Sequence, residues 1–89
     1  MITTSVRVNN RAGVHTRPAA MLVKLAAQYK SEIYLVRDGF NINAKSIIGV
    51  MTLAAEQGCE LELIVEGPDE TDAASAITEL FNGGFGEQM

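Results

Sequence analysis

The chain has one histidine, His15, and its neighbours in the sequence suggest chemistry with phosphate. His15 follows a polar loop that ends at Gly13, and it precedes Arg17 and Pro18, where a helix is expected to begin. A helix N-terminus binds anions through its free N–H groups, and the fork of an arginine fits phosphate oxygens. A neutral imidazole is a usable nucleophile near neutral pH. This pattern favours reversible phosphorylation of His15, although a lone histidine that only decorates the surface remains the alternative.

Other kinds of catalytic site have little support in the sequence. With a single histidine there is no second imidazole to act as a base, and no Ser-His-acid set is evident. Cys59 is the only cysteine, which excludes an internal disulfide and a cysteine-based metal cluster. We therefore expect no metal and no organic cofactor. An enzyme of another type is a disfavoured alternative.

A second candidate site lies on a short predicted helix. Ser46 is a typical N-cap, and the apolar run after it predicts a helix to about Ala55, closed by Gly58. Apolar side chains cover nearly the whole circumference of this helix, which is more than a thin domain can bury. We expect part of the run to be exposed for a partner protein, although a fully buried helix is the alternative. The residues of this expected patch are Ile47, Ile48 and Met51.

Ser46 has two interpretations. The first is that its side chain caps the helix, which is compatible with any further role. The second is that it is also a regulatory phosphorylation site. A phosphate at a helix N-terminus is tolerated, and here it would place negative charge beside the expected patch and weaken docking without unfolding the protein. The residues alone leave both interpretations open.

The remaining elements must hold these two sites. Alternating polarity predicts four strands, over residues 2–8, 31–37, 40–42 and 60–66. Apolar residues at helical spacing predict a helix after His15 and a last helix that Asp69 caps and two glycines stop. The order is β-α-β-β-α-β-α. One-sided strands and helices with one apolar stripe predict an α+β fold, with the helices on one face of an antiparallel sheet.

Composition limits the classes of function. The 89 residues are 47% hydrophobic and 20% charged, which predicts one globular domain over residues 1–89. The net charge is −4 and no basic run is present, so we expect no nucleic-acid partner. No apolar run resembles a signal peptide or is long enough to cross a bilayer. We therefore expect a cytoplasmic protein without membrane insertion.

Two segments resemble the signatures of a known family. Gly13–Ala19 (GVHTRPA) looks like the active-site signature of HPr, the histidine-containing phosphocarrier family of the bacterial phosphotransferase system. Lys45–Met51 (KSIIGVM) resembles the second signature, around the regulatory serine. The resemblance covers nearly the whole chain, including the element order and the spacing of the two motifs. The segment Leu80–Phe85 resembles the ending of the nitrogen-type branch, which serves regulation more than sugar uptake.

The resemblance implies an open-faced β-sandwich, with a four-stranded antiparallel sheet and three helices on one side. It implies that His15 accepts a phosphoryl group on Nδ1 from phosphorylated enzyme I, with Arg17 steadying the phosphohistidine. The group then passes to a IIA domain of a sugar permease or to a regulatory relative. The positions that match the docking face of the family are Thr16, Ala20, Lys24, Ile47, Ile48 and Met51.

The resemblance also bears on Ser46. This residue matches the site that the ATP-dependent HPr kinase/phosphorylase modifies, and its flanking run resembles members that are kinase substrates, a link to carbon catabolite regulation. We expect a monomeric relay protein that is not itself an enzyme. The alternative is a binding module controlled through Ser46, with His15 little used. Relatives of that kind lack the active-site histidine, which this chain has.

Overall fold

The computed structural model describes residues 1–89 and has the predicted element order, followed by a short 3-10 turn at Gly84–Gly86. Strands β1 to β4 span Ile2–Arg7, Glu32–Arg37, Phe40–Asn43 and Glu60–Glu66. Helices α1 to α3 span Thr16–Ala26, Ile47–Thr52 and Glu70–Asn82. None of these helices has the length and apolar character needed to cross a membrane.

The four strands form one antiparallel sheet in the order β1-β4-β2-β3. Leu63 of β4 lies opposite Thr4 of β1 on one side and Leu35 of β2 on the other. The alternation along β4 separates its two faces, because Leu61, Leu63 and Val65 are buried while Glu60, Glu62 and Glu66 are exposed. The predicted α+β open-faced sandwich is confirmed.

The core lies between the sheet and the apolar stripes of the helices. Leu22 of α1 and Ile77 and Phe81 of α3 are fully buried, as the helical spacing predicts. Phe85, beyond the end of α3, is also fully buried, and its ring packs edge-to-face on Phe81 with the centroids 5.0 Å apart. Complete burial of one such side chain contributes about 1.5–3 kcal/mol. The chain after α3 therefore packs against the core through Phe85.

Helix α2 is shorter than the sequence predicts. It ends at Thr52 and not near Ala55, because Ala54 adopts a left-handed conformation with φ of 48°. The carbonyls that directly follow the helix accept hydrogen bonds from another element. Nη1 of Arg37 donates to the carbonyl oxygens of Leu53 and Ala54, at 2.8 and 3.0 Å. A side chain from β2 thus holds the end of this helix, which local helix signals do not report.

Asp69 precedes α3 as predicted, but its side chain does not cap that helix. The carboxylate instead accepts hydrogen bonds from the Ser31 hydroxyl and from the backbone N–H groups of Lys30 and Ser31. These bonds, the one from the Ser31 hydroxyl foremost, lower the pKa of Asp69 to about 2. The carboxylate of Glu70 accepts from the N–H of Gly67 at 3.1 Å. The prediction of a side-chain cap at Asp69 was wrong, since the residue joins two loops.

Candidate functional site

His15 is the N-cap of α1, where the preceding loop meets the helix. The loop is held by Val14, whose N–H donates to the carbonyl of Ala55 at 2.9 Å. Gly13 has φ of 74°, and a Cβ at this position would lie 2.6 Å from the same carbonyl oxygen. Only glycine can adopt this positive φ without strain and leave room for the carbonyl, because it has no Cβ. The close approach of these two loops therefore fixes where His15 enters the helix.

The first turn of α1 offers hydrogen-bond donors beside the imidazole. The N–H groups of Thr16 and Arg17 have no acceptor within the helix, and Pro18 has no N–H to leave unpaired. The N–H of Ala19 donates to the carbonyl of His15 at 2.9 Å and begins the helical ladder. The positive end of the helix dipole lies at the same point. The side chain of His15 is 44% exposed, so an anion can reach these groups.

The C-terminal segment brings a carboxylate into this site. Nε2 of His15 lies 3.0 and 3.1 Å from the two carboxylate oxygens of Glu87. Nη1 of Arg17 donates to Oε2 of Glu87 at 2.9 Å and to the carbonyl of Phe85 at 3.2 Å. The structure thus brings together the two predicted residues, His15 and Arg17, through Glu87, which the sequence analysis did not identify.

A buried amide holds Glu87 in place. Nδ2 of Asn10 donates to Oε1 of Glu87 at 2.9 Å and to the carbonyl of Gly13 at 2.7 Å. The pKa of Glu87 lies below its usual value because of the Asn10 hydrogen bond first, then those from His15 and Arg17. The tail is also held through its backbone, since the N–H of Arg11 donates to the carbonyl of Gln88 at 2.8 Å. The loop before α1 and the tail therefore form one hydrogen-bonded unit.

Two open grooves flank the imidazole. One has a volume of about 530 Å³ and runs from the loop before α1 to residues 54–57. The other has a volume of about 370 Å³ and lies between the same loop and the tail. Arg11, Ala12 and His15 line both grooves. The ring is therefore open to a partner from two sides.

The expected apolar patch on α2 is exposed. Ile48 is 75% exposed, Ile47 42% and Met51 40%, while Val50 on the other side of the helix is fully buried. The excess of apolar residues on this helix is thus divided between the core and the surface, and the fully buried alternative is wrong. The three expected docking positions on α1 are also exposed; these are Thr16, Ala20 and Lys24. The use of this surface for docking remains a prediction.

Ser46 is the N-cap of α2, as predicted. Its Oγ accepts a hydrogen bond from the N–H of Gly49 at 3.1 Å, and the side chain is half-buried. Lys45, the preceding residue, makes two hydrogen bonds of 2.8 Å. Its N–H donates to Oδ1 of Asn43, and its Nζ donates to the carbonyl of Tyr29. The capping interpretation is confirmed. The phosphorylation interpretation remains a prediction.

No three His, Cys, Asp or Glu side chains come together in a way that could hold a metal ion. Cys59 is a free, half-buried thiol just before β4. The chemistry that the site offers therefore comes from one imidazole, one guanidinium, one carboxylate and the donors of the α1 N-terminus.

Comparison with known proteins places these features in a family. Residues 2–83 match the family model described as "PTS HPr component phosphorylation site". Phosphocarrier protein HPr of Treponema pallidum is 58% identical over 88 residues, which are 99% of this chain and 100% of that protein. HPr-like protein Crh of Halalkalibacterium halodurans is 43% identical over 77 residues, covering 86% and 92% of the two chains. The crystal structure described as HPr-C-His from Thermoanaerobacter tengcongensis aligns over 100% of both chains, with a TM-score of 0.95 and 38% identity.

Proposed function

This chain belongs to the HPr family of phosphocarriers of the phosphotransferase system, and we propose from that premise that His15 carries the phosphoryl group. In this proposal Nδ1 of His15 accepts the group from phosphorylated enzyme I and passes it to a IIA protein or domain. The observation that carries the proposal is the half-exposed ring at the N-terminus of α1, whose Nε2 is engaged by Glu87 while Nδ1 makes no hydrogen bond with the protein.

The transfer forms a P–N bond on His15 as the donor's bond to phosphorus breaks. Nδ1 of His15 attacks phosphorus, and the electron pair of the broken bond remains on the donor atom. The phosphoryl oxygens then face the free N–H groups of Thr16 and Arg17 at the α1 N-terminus. The guanidinium of Arg17 uses only Nη1 within the protein, so its other N–H donors are available to these oxygens. In the second transfer, a nucleophile of the next partner attacks the same phosphorus, and the P–N bond to His15 breaks with its electron pair remaining on Nδ1.

The exposed face of α1 and α2 supports transfer between proteins. Helix α2 packs on α1, the helix that begins after His15. Exposed apolar side chains are typical of a docking surface, and methionine adapts to more than one partner. We propose that enzyme I and IIA proteins use the same face in turn. It is formed by Thr16, Ala20, Lys24, Ile47, Ile48 and Met51. We also propose a cytoplasmic monomer that needs no cofactor of its own.

The test is the intact mass after incubation with phosphoenolpyruvate and enzyme I. We expect the mass of one phosphoryl group, lost in acid as a phosphohistidine is, and no gain in His15→Ala. The half-exposed side chain of His15 contributes little to the core, so that variant stays folded, which circular dichroism checks. A mass gain in His15→Ala would place the phosphoryl group elsewhere and contradict the assignment.

A second proposal concerns Ser46. Its Oγ lies at the N-terminus of α2, next to Ile47 and Ile48 of the docking face, and it contacts the N–H of Gly49. A phosphate there would keep an acceptor for that N–H and add negative charge beside the face. We propose that HPr kinase/phosphorylase transfers the γ-phosphoryl group of ATP to Ser46 and so weakens docking.

The same mass measurement, with ATP and the kinase, tests this second proposal. An acid-stable gain that is absent from Ser46→Ala supports it, and no gain contradicts it. If Ser46 accepts phosphate while phosphoenolpyruvate and enzyme I leave the mass unchanged, the chain is a regulatory binding module and the carrier proposal fails.

A further inference from the structure

Glu87 lies against the reactive histidine without taking part in the transfer proposed above. We propose that Glu87 is a positioning residue: it holds the His15 ring as the tautomer with hydrogen on Nε2, and it balances the positive charge that the ring gains on phosphorylation. This inference rests on the proposed carrier function. Its basis is the contact of Nε2 with both carboxylate oxygens, at 3.0 and 3.1 Å.

The tautomer follows from the chemistry of the two groups. An ionised carboxylate has only acceptor oxygens, so the ring nitrogen that it contacts must carry the hydrogen. The hydrogen bond from Asn10 first, and then those from His15 and Arg17, favour the ionised form of Glu87. In the neutral ring the lone pair is then on Nδ1, which makes no hydrogen bond with the protein. Glu87 thus leaves the nucleophilic electron pair on the nitrogen that faces away from it.

Phosphorylation also changes the charge of the ring. When Nδ1 forms its bond to phosphorus, the ring carries phosphorus on one nitrogen and hydrogen on the other, and it becomes formally cationic. The carboxylate of Glu87 lies 3.0 Å from the Nε2 that shares this charge. A carboxylate that orients and stabilises an imidazolium in this way is known from hydrolase triads. No proton has to leave the ring before or during the attack.

The position of Glu87 is built into the fold. Phe85, two residues earlier, is fully buried on Phe81 even though its φ of 57° is a conformation that non-glycine residues rarely adopt. Asn10 is also fully buried, and both of its Nδ2 bonds go to this unit, one to Glu87 and one to Gly13. The carboxylate is 18% exposed, whereas a free tail residue would be open to water. The buried side chains of Phe85 and Asn10 therefore hold the carboxylate of Glu87 beside Nε2 of His15.

The first part of the test measures the tautomer and needs no partner protein. At alkaline pH, the ¹⁵N chemical shifts of the His15 ring distinguish its two neutral tautomers in the full-length chain. We expect only hydrogen on Nε2 in the wild type, and a detectable population with hydrogen on Nδ1 in Glu87→Ala. Glu87→Gln keeps one acceptor oxygen and should retain the wild-type tautomer. Glu79→Gln removes an exposed carboxylate on α3 and is the matched control.

The second part measures the rate of phosphoryl acceptance from phosphorylated enzyme I in a single turnover. We expect about a tenfold decrease in Glu87→Ala, the lower end of the range measured when a carboxylate that orients a metal-binding histidine is lost. Glu87→Gln should also be slower, because it keeps the tautomer but loses the charge. Glu79→Gln should match the wild type.

The outcomes separate this inference from the proposed function. An unchanged tautomer or an unchanged rate in Glu87→Ala overturns the inference while the carrier function stands. A faster rate also overturns it, because it would mean that Glu87 competes with the phosphoryl group for Arg17. If the wild type itself accepts no phosphoryl group, the carrier proposal fails and the inference fails with it.

Discussion

The two candidate functional regions of this protein are built in opposite ways. The Ser46 region is local, because the cap, the helix and the exposed patch all come from residues 46–52. The His15 region is assembled from both ends of the chain, because its ring contacts Glu87, a residue 72 positions away. A local site depends on its own helix, whereas an assembled site depends on every contact that holds the distant segment.

This difference has a functional consequence. Loss of the tail would leave the Ser46 cap and the apolar patch in place, but it would remove a carboxylate from the reactive ring. The histidine region is thus sensitive to changes in the tail, and the serine region is not. The following changes test this contrast, from the largest expected effect to the smallest.

Phe85→Ala should have the largest effect. The ring is fully buried on Phe81, and truncation of a buried phenylalanine costs about 3 kcal/mol or more in free energy of unfolding. We expect the tail to detach, so that the amide resonances near His15 shift in NMR spectra while that of Gly49 stays in place. Urea denaturation measures the loss. The matched control is Phe40→Ala, which removes a phenylalanine that is 59% exposed and should change stability by less than about 0.5 kcal/mol. Equal losses in the two variants would contradict the role of Phe85 as the anchor.

Gly13→Ala should have the next largest effect and lower the free energy of unfolding by about 2 kcal/mol. The left-handed backbone alone costs about 1–2 kcal/mol for an L-residue, and the new Cβ would also press on the carbonyl oxygen of Ala55 at 2.6 Å. We expect lower stability in urea and slower phosphoryl acceptance, since His15 would move with the loop. Gly39→Ala is the control, because Gly39 has a similar φ of 80° but open space around it. A loss no larger than that of Gly39→Ala would show that the two loops separate easily.

How much the sequence could predict also follows from this contrast. Strand alternation, the Ser46 cap and the exposed half of α2 were predicted correctly, because each is a local pattern with a known period. The end of α2 was not predicted correctly, because it depends on Arg37 from β2 and on the left-handed conformation of Ala54. Asp69 looked like a helix cap, but the sequence does not show that a loop nearly forty residues earlier offers its carboxylate better donors.

The candidate site around His15 was predicted in part for the same reason. His15 and Arg17 are two residues apart and at a helix start, so their association with an anion could be predicted from that segment alone. Glu87 and Asn10 could not, because glutamate and asparagine are common surface residues and no local pattern links them to His15. The one available signal was Phe85, an apolar residue beyond the glycines that end α3. A buried aromatic there requires the chain to turn back towards the core.

Ser46→Ala should have a smaller effect, limited to α2. Loss of the bond from the Gly49 N–H costs about 1 kcal/mol, the usual value of an N-cap. We expect a slightly lower urea midpoint and an unchanged rate of phosphoryl acceptance at His15. Ser46→Asp is the matched variant, because aspartate also caps but adds charge beside Ile47 and Ile48. It should keep its stability and bind enzyme I more weakly in calorimetry. A slower reaction in Ser46→Ala at equal binding would mean that the two regions are coupled.

Mild acid should produce the smallest effect, and again in one region only. The pKa of Glu87 is lowered from its ordinary value of 4.5 by the Asn10 hydrogen bond first and by His15 next. A group whose pKa is lower in the folded state stabilises that state above its ordinary value, and the contribution is lost as pH falls through the lowered value. As the pH falls below 4.5, we therefore expect the NMR resonances of Phe85 to shift with the titration of Glu87. The resonance of Gly49 should stay constant, because the Ser46 cap contains no group that titrates in this range. Glu87→Gln is the control, and a transition of Phe85 that persists in this variant would assign the change to another carboxylate.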